Sequence, residues 1–414
     1  MSISKDLKIL SLFDGMACGM LAFQKVGATI SKYYAYEIDK YAIQTATHNF
    51  PMIKECGDVF KADFTQYKDI DYLIGGSPCT YWSIAQKNNR ETEASGLGWD
   101  LFSQYVRALR EVKPRFFIYE NNKSMSKAIR KSITDTFGFE PICINSALVS
   151  AQNRQRLYWV GKRNADNTYS KVNIEQPHDK GIILKDILNT GYDLTTNNKS
   201  WTLTASYNGA VAWNTIERCQ RNMVAEPVNI TNNGKSQTIK AQYEKTSVAN
   251  ICCYSSTYGA SGVAEPVRVG ALPRPNGELS TSQAMRVYST EGKSVNLTAG
   301  GGGMGGKTGL YAMPIEFEND KPIKARSCGD NKTYIVYEVI NGLIRIKDKE
   351  YPIKLNDGYY IIRKLTVEES KKLQTVPEWY EFPVSNAQAY KMLGNGWTID
   401  VITHLINATF NENT

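Results

Sequence analysis

Three groups of residues in this chain carry side chains able to do chemistry together. Pro78-Cys79 lies in the run Asp71 to Ser83, DYLIGGSPCTYWS, where apolar Tyr72, Leu73 and Ile74 stop at Gly75-Gly76 and a thiol enters a polar loop. The glycines allow a tight exit from a strand, and the proline stiffens the backbone just before the sulfur. A thiol presented in this way suits nucleophilic attack, and an incidental cysteine at a strand end is the plain alternative. Glu120-Asn121 follows the apolar and aromatic run Phe116 to Tyr119. Its carboxyl is therefore partly desolvated and suited to general-acid work, or else it caps the next helix. Gln152-Asn153-Arg154-Gln155-Arg156 puts Arg154 and Arg156 on one side of an extended segment. They read either as two fixed guanidinium donors facing a carbonyl or phosphate oxygen, or as a solvated pair of charges.

Such residues need a scaffold, and the first 160 residues or so supply its pattern. Apolar runs at Ile9 to Phe13, Tyr33 to Tyr36, Ile53 to Cys56, Tyr72 to Ile74, Phe116 to Tyr119, Ile142 to Ile144 and Leu157 to Val160 alternate with helical stretches. Those stretches include Met20 to Val26, Trp99 to Val112 and Ser124 to Phe137. This rhythm indicates a mostly parallel sheet with helices on both faces, and ligands bind at the carboxyl ends of such strands. After the first strand, Phe13-Asp14-Gly15-Met16-Ala17-Cys18-Gly19 is a small-residue turn into a helix, able to bring backbone N–H groups to a carboxylate or phosphate. Glu37 in Tyr36-Glu37-Ile38-Asp39 is placed to accept from ribose hydroxyls, and Asp58 in Cys56-Gly57-Asp58-Val59 from an adenine amino group. Each acid could equally cap a helix, but together they describe a nucleoside-bearing cofactor lying across three strand ends. The polar, glycine-tipped stretch Thr80 to Gly98 has the length and composition of an active-site lid.

The chain has 414 residues, 42% hydrophobic and 22% charged, as an ordinary globular protein of two or more domains would. The opening MSISKDLKIL lacks a signal-peptide pattern and no apolar run is long enough to span a bilayer, so a cytosolic protein is expected. Eight cysteines without a CxxC pair and three scattered histidines offer no zinc spacing, so reduced thiols and no metal are expected. The net charge is +8, and residues 161–355 hold 24 Lys+Arg against 18 Asp+Glu, so most of the surplus sits mid-chain.

That middle region loses the α/β rhythm and repeats a unit. Lys199 to Ala205, Lys235 to Ala241 and Lys293 to Ala299 are related, and each is followed by a similar exit at Ala225-Glu226-Pro227-Val228, Ala264-Glu265-Pro266-Val267 and Ala312-Met313-Pro314-Ile315. The unequal spacing argues against a solenoid, and the alternation suits a small β-rich module whose loops touch sugar-phosphate. Arg268, Arg274 and Arg286 add positive charge to it, and the glycine-rich loop Gly300 to Lys307 reads either as a close approach to a sugar-phosphate backbone or as a flexible surface loop. Farther on, Tyr334 to Glu338, Leu343 to Ile346, Tyr351 to Leu355 and Tyr359 to Ile362 alternate around Asn341-Gly342 and Asn356-Asp357-Gly358, which predicts a β-meander. Ala389 to Phe410 reads as a glycine turn and a helix with Ile399, Ile402, Leu405 and Ile406 on one face.

Taken in order, these motifs resemble the DNA cytosine-5 methyltransferase family. The turn at 13–19, Glu37, Asp58, Pro78-Cys79, Glu120-Asn121 and Gln152-x-Arg154-x-Arg156 are followed by Arg363 to Glu369 with Leu373-Gln374, then Leu393-Gly394-Asn395-Gly396. Ala17 and Cys18 stand where the family usually has two glycines, which looks closer to the animal de novo enzymes, and Asn122 replaces a common valine.

The resemblance implies an α/β fold of the class I S-adenosylmethionine methyltransferase type, with a smaller β-rich target-recognition domain. Residues 1–161 would begin the catalytic domain, 162–358 would form the recognition region, and 359–414 would complete the catalytic domain. S-adenosylmethionine would be held by Phe13, Asp14, Gly15, Met16, Ala17, Cys18, Gly19, Glu37, Ile38, Asp58, Val59, Pro78, Asn395, Gly396 and Trp397, with Phe13 stacked on adenine. A Cys79 thiolate would add to cytosine C6, Glu120, protonated, would hold N3 and the exocyclic amine, and Arg156 would bind O2. Asn121 and Pro78 would complete that group, Arg154 and Gln152 would support the same edge or the lid, and Ser83 and Gln86 would act in the lid and toward DNA. The implied partner of this monomer is double-stranded DNA with the target base flipped out. An RNA cytosine-5 methyltransferase on the same domain, and a catalytically silent DNA-binding protein of the same fold, are the alternatives. The long basic insert favours duplex DNA, and the joint presence of Cys79, Glu120 and Arg156 favours an enzyme.

Overall fold

The computed structural model describes residues 6–83, 90–188, 332–346, 349–352, 357–363 and 365–412, together with short strands between 219 and 326. Its first nine strands are β1 (Leu7–Leu12), β2 (Ile30–Tyr36), β3 (Ile53–Glu55), β4 (Tyr72–Gly75), β5 (Phe116–Asn122), β6 (Ile142–Asn145), β7 (Gln152–Asn153), β8 (Gln155–Arg163) and β9 (Tyr169–Lys171). The helices are α1 (Cys18–Lys25), α2 (Lys40–Asn49), α3 (Leu97–Val112), α4 (Lys127–Phe137), α5 (Leu184–Ile187), α6 (Val367–Leu373), α7 (Asn386–Asn395) and α8 (Ile399–Asn411). The main sheet runs β3-β2-β1-β4-β5-β8-β6, with β9 beside β8. Strands β1 to β5 pair in parallel, whereas β8 runs antiparallel between β5 and β6.

Strand periodicity divides the core into two layers. In β1, Leu7 and Ile9 join one cluster with Met20, Leu21 and Phe23 of α1 and Ile402, Leu405 and Ile406 of α8; Leu10 and Leu12 join the other with α3 and α4. In β5, Phe116 and Ile118 face the first layer, and Phe117 and Tyr119 the second. Both faces are covered, so these strands read as continuous apolar runs. The apolar face expected on α8 is wholly buried, with about 1.5–3 kcal/mol of transfer free energy for each such side chain. A Cβ at Gly19 would lie 2.2 Å from Ile74 Cδ1 and 2.9 Å from the Tyr33 hydroxyl, so glycine lets α1 approach the sheet.

Element ends differ from the sequence expectation where side chains intervene. Strand β5 continues through Asn122 because β8 supplies partners as far as Arg156, so Glu120 stands inside a strand and caps no helix. The helix after it begins at Lys127, because the Ser126 side chain accepts from the Ile129 N–H. Helix α3 starts two residues before the expected Trp99.

In the middle region, β17 (Thr333–Ile340) and β18 (Leu343–Ile346) form the expected hairpin, with Asn341 (φ 51°) and Gly342 (φ 71°) both left-handed. Strand β19 (Lys349–Pro352) pairs with β18, but β20 (Gly358–Arg363) returns to pair with β17 and with β11 (Val224–Val228). A simple meander would have paired β20 with β19. With β15 (Ile315–Glu316) and β16 (Lys324–Arg326), the order β11-β20-β17-β16-β15 is a correction. Strands β10 (Cys219–Gln220), β12 (Arg268–Ala271) and β13 (Met285–Tyr288) form a separate small sheet in the order β10-β13-β12. Strand β14 (Ser294–Val295), at the start of the third repeat copy, pairs in parallel with β7. The other two copies, Arg274 and the loop Gly300 to Lys307 lie outside the described residues.

Candidate active site

The ends of β4, β5 and β8 meet beside the turn that follows β1. Strand β4 stops at Gly75, and Cys79 opens a short 3-10 turn, Cys79–Tyr81. The segment in between is held from β5. Asn121 Nδ2 donates to the Ser77 carbonyl at 3.2 Å, to Ser77 Oγ at 3.3 Å and to the Tyr119 hydroxyl at 3.2 Å, and Ser77 Oγ is 2.7 Å from that hydroxyl. Asn121 thereby fixes the backbone just ahead of Pro78-Cys79. Sequence reasoning passed over Ser77, whose only signal was its place before the proline.

Glu120 and Arg156 come together across the β5–β8 pair. The β5–β8 register sets Glu120 opposite Tyr158 and Asn122 opposite Arg156. Arg156 Nε lies 3.0 Å from Glu120 Oε1, and the side chains are only 8% and 11% exposed. On the other oxygen, Trp397 Nε1 donates to Oε2 at 3.0 Å. Gly76 makes room for this group, since a Cβ there would lie 2.7 Å from Glu120 Oε2.

Gln152 and Arg154 reach the closing segment of the chain. Both are buried, and Arg154 donates to the carbonyls of Gly394 at 3.2 Å and Gly396 at 2.7 Å. Gln152 Nε2 donates to the Leu373 carbonyl at 3.2 Å and to Gln374 Oε1 at 3.1 Å, and Gln374 in turn donates to the Leu393 carbonyl at 2.6 Å. Arg154 falls between β7 and β8, where the strand is interrupted. These contacts fasten the closing segment 393–398 onto the sheet.

On the cofactor side, Phe13, Gly15 and Ala17 adopt left-handed backbone with φ of 58°, 61° and 58°. The turn they make is met by Glu37, whose Oε2 accepts from Gly15 N at 2.9 Å and whose Oε1 accepts from Ile38 N at 2.7 Å and Asp39 N at 2.9 Å. Asp58 Oδ1 accepts from Phe60 N at 3.0 Å, so the capping role is realised on that oxygen. Val59 is buried, while Ile38 is 77% exposed and Phe60 47%, leaving two large apolar side chains uncovered at the ends of β2 and β3. Met16 is buried, and its carbonyl accepts from the Tyr380 hydroxyl at 2.7 Å.

Asp14 and Glu55 are buried acids in this neighbourhood. Asp14 Oδ1 accepts from Ser11 Oγ at 2.5 Å and the Tyr33 hydroxyl at 2.6 Å, while its Oδ2 is buried without a hydrogen-bond partner. Burial pushes the Asp14 carboxyl up to about 6, against the lowering effect of those two donors. Glu55, a charged residue turned inward on edge strand β3, has both oxygens buried and unpartnered, and burial with the charges of Asp14 and Glu37 lifts it to about 8. Its inward position is invisible without the register of β3 on β2. Burial likewise pushes the Cys18 thiol up to about 12, although the Trp397 backbone N–H is directed at its sulfur. Cys18 is a packing residue between the first turn and the closing segment.

Both ends of the expected lid are fastened. Trp82 is fully buried and its Nε1 donates to Glu91 Oε2 at 2.9 Å, while Glu91 Oε1 accepts from Gly98 N at 3.1 Å. Arg90 Nη2 donates to the Ser124 carbonyl at 2.8 Å. Ser83 precedes residues 84–89, and Gln86 lies outside the described residues. Among the described residues no group of three or more His, Cys, Asp or Glu is placed to hold a metal ion, and no helix is long and apolar enough to cross a membrane.

Comparison with known proteins agrees with this geometry. An orphan methyltransferase of Bacillus phage rho11s, M.Rho11sI, is 28% identical over 74% of this chain and 60% of its own length. A type II methyltransferase of Lactococcus lactis subsp. cremoris, M1.ScrFI, is 30% identical over 47% of this chain and 52% of its own. The chain thus spans little more than half the length of these curated relatives. A solved Entamoeba histolytica methyltransferase, EhMeth, shares the fold at a TM-score of 0.51 and 12% identity, covering 99% of this chain and 100% of that one. The family model for C-5 cytosine-specific DNA methylases matches residues 7–411, and with the strand order and the site just described, the chain belongs to that family.

Proposed function

We propose that this protein is a DNA cytosine-5 methyltransferase using S-adenosylmethionine. The carrying observation is the Glu120–Arg156 pair, withdrawn from water beside the backbone segment that Asn121 holds in front of Cys79. Cytosine C5 is a poor nucleophile. Addition of a Cys79 thiolate to C6 makes C5 enamine-like, and loss of the C5 proton after methylation expels the thiolate again. Glu120, protonated, donates to N3 and accepts from the exocyclic amine, and Arg156 donates to O2, so fixed groups meet the charge that develops when C6 is attacked. Arg154 and Gln152 act at a remove, through the segment 393–398. Because C6 is inaccessible in a stacked duplex, the base is flipped out at a cost of about a few kcal/mol, under the stretch 80–98.

The residues at the ends of β1 to β3 fit the cofactor. The partnerless buried Oδ2 of Asp14 and the acid Glu37 suit a cationic ligand, and exposed Ile38 and Phe60 with Phe13 offer apolar surface to a base. When bound, the cofactor supplies an electrophilic methyl group on a sulfonium. Glu37 Oε1 is filled by the Ile38 and Asp39 N–H groups, while Oε2, which accepts from Gly15 N, keeps an acceptor site for a ribose hydroxyl, and Asp58 keeps Oδ2 outside its cap for an adenine amine. Residues 1–161 and 359–414 form the catalytic part in this reading, and 162–358 select the site on double-stranded DNA.

The test is a trap. Duplex DNA containing 5-fluorocytosine at the methylated site should form a covalent complex with the wild type and none with Cys79→Ala, because fluorine blocks the elimination step. Absence of a complex at a methylatable site would refute thiol addition. Methyl transfer to tRNA alone, with none to matched DNA, would replace the DNA reading.

A further inference from the structure

We propose that Trp397 is a positioning residue for the Glu120 carboxyl. This inference rests on the cytosine-5 reading above and adds to it a link between the closing segment and the base-binding acid. The indole Nε1 donates to Glu120 Oε2 at 3.0 Å while Arg156 Nε stands 3.0 Å from Oε1, so one donor fixes each oxygen and the carboxyl plane cannot rotate. Each oxygen retains a second site, and with the carboxyl protonated these sites supply the O–H that N3 accepts and the acceptor for the exocyclic amine.

The indole is itself carried on a braced turn. Arg154 and Gln374 donate to the Gly396 carbonyl at 2.7 and 3.3 Å, Thr398 Oγ1 donates to Gln374 Oε1 at 2.8 Å, and the Trp397 backbone N–H is directed at the Cys18 sulfur. The chain also leaves room for the contact, because a Cβ at Gly76 would lie 3.3 Å from the indole nitrogen and 2.7 Å from Oε2. Preorganised donors around a reacting group are worth most where water is excluded, and the side chains of Glu120 and Arg156 are nearly buried.

The experiment compares the wild type with Trp397→Phe, which keeps an aromatic ring and removes the N–H. The main readout is exchange of the cytosine C5 proton with solvent in duplex DNA without cofactor, since thiol addition and reversal exchange that proton with no methyl transfer. Exchange, measured without cofactor, and kcat should fall about tenfold or more, and Trp397→His should restore part of the loss. Independently of activity, the indole N–H resonance of Trp397 in protein labelled with 15N-tryptophan should move upfield in Glu120→Gln. Unchanged exchange in a folded Trp397→Phe, or an indole resonance indifferent to Glu120→Gln, would overturn the proposal. A wild type that neither exchanges nor methylates cytosine would instead refute the cytosine-5 reading, and the resonance test would still decide the contact.

Discussion

Arg156 Nε and Glu120 Oε1 stand 3.0 Å apart on neighbouring antiparallel strands, each side chain about nine-tenths out of solvent. Removing one member of such a pair leaves a buried charge without compensation, which costs about 3–5 kcal/mol. Arg156→Ala should therefore lower the urea midpoint strongly. Glu120→Gln keeps an acceptor for the guanidinium and should cost less stability while abolishing most activity. The double variant Glu120→Gln/Arg156→Ala should be more stable than the sum of the single losses predicts, and strict additivity would show that the pair is not coupled.

Asp14 carries a pH dependence of definite sign. Its carboxyl is raised from 3.8 to about 6 by burial, outweighing the Ser11 and Tyr33 donors, with Glu37 adding a smaller rise. The folded state therefore binds more protons than the unfolded one across that interval, and its stability falls as pH rises from about 4 to about 6. Asp14→Asn keeps the Oδ1 acceptor and loses the titration. Relative to this variant, the wild type should lose up to about 3 kcal/mol across the interval, measured by denaturant melts at each pH.

Asp400 has the opposite sign. Burial raises its carboxyl, but Lys180 and Lys25 outweigh that and hold it below 3.8. Its Oδ2 lies 2.6 Å from Lys180 Nζ, and its Oδ1 pairs with Lys25. The contribution is present above about pH 4 and is lost as pH falls through the lower folded-state value. Both lysines are about half exposed, so screening limits the effect: Asp400→Asn should cost about 1 kcal/mol near neutrality. That difference should shrink in acid, and a cost that grew toward low pH would contradict the assignment.

The sheet and the place of Glu120 after an apolar run were legible in the sequence because both depend on local periodicity, whereas the meeting of Glu120 with Arg156 depends on the antiparallel register of β8 on β5. Apolar runs of strand length name the strands, and the residues immediately after each run are the groups at its carboxyl end. Arg154 shows where that reasoning stops. Spacing places a side chain on one side of a strand, but it does not reveal a break in pairing between β7 and β8, nor that the carbonyl opposite comes from Gly394, 240 residues away. Trp397 on Glu120 and the inward turn of Glu55 are hidden for the same reason, since both depend on long-range register. The return of β20 to β17 is another case, because hairpin signals fix the turns and leave strand order free.

Gly76 tests how closely the site is built. It lies between β4 and the Ser77-Pro78-Cys79 segment, and a Cβ added there would meet Glu120 Oε2 at 2.7 Å, the Glu120 carbonyl at 3.1 Å and Trp397 Nε1 at 3.3 Å. Glu120 is pinned by Arg156 on its other oxygen and its backbone is paired to β8, so neither contact can be relieved by a free end swinging away. The carboxyl must shift by several tenths of an ångström, and misplacement of a reacting group on that scale costs up to about a hundredfold in rate. Gly76→Ala should therefore lower kcat by about 10- to 100-fold, while the fold and cofactor affinity persist. Steady-state methylation of duplex DNA beside a thermal melt checks this, and a folded Gly76→Ala enzyme with unaltered kcat would show that the Glu120 carboxyl is not held where its partners place it.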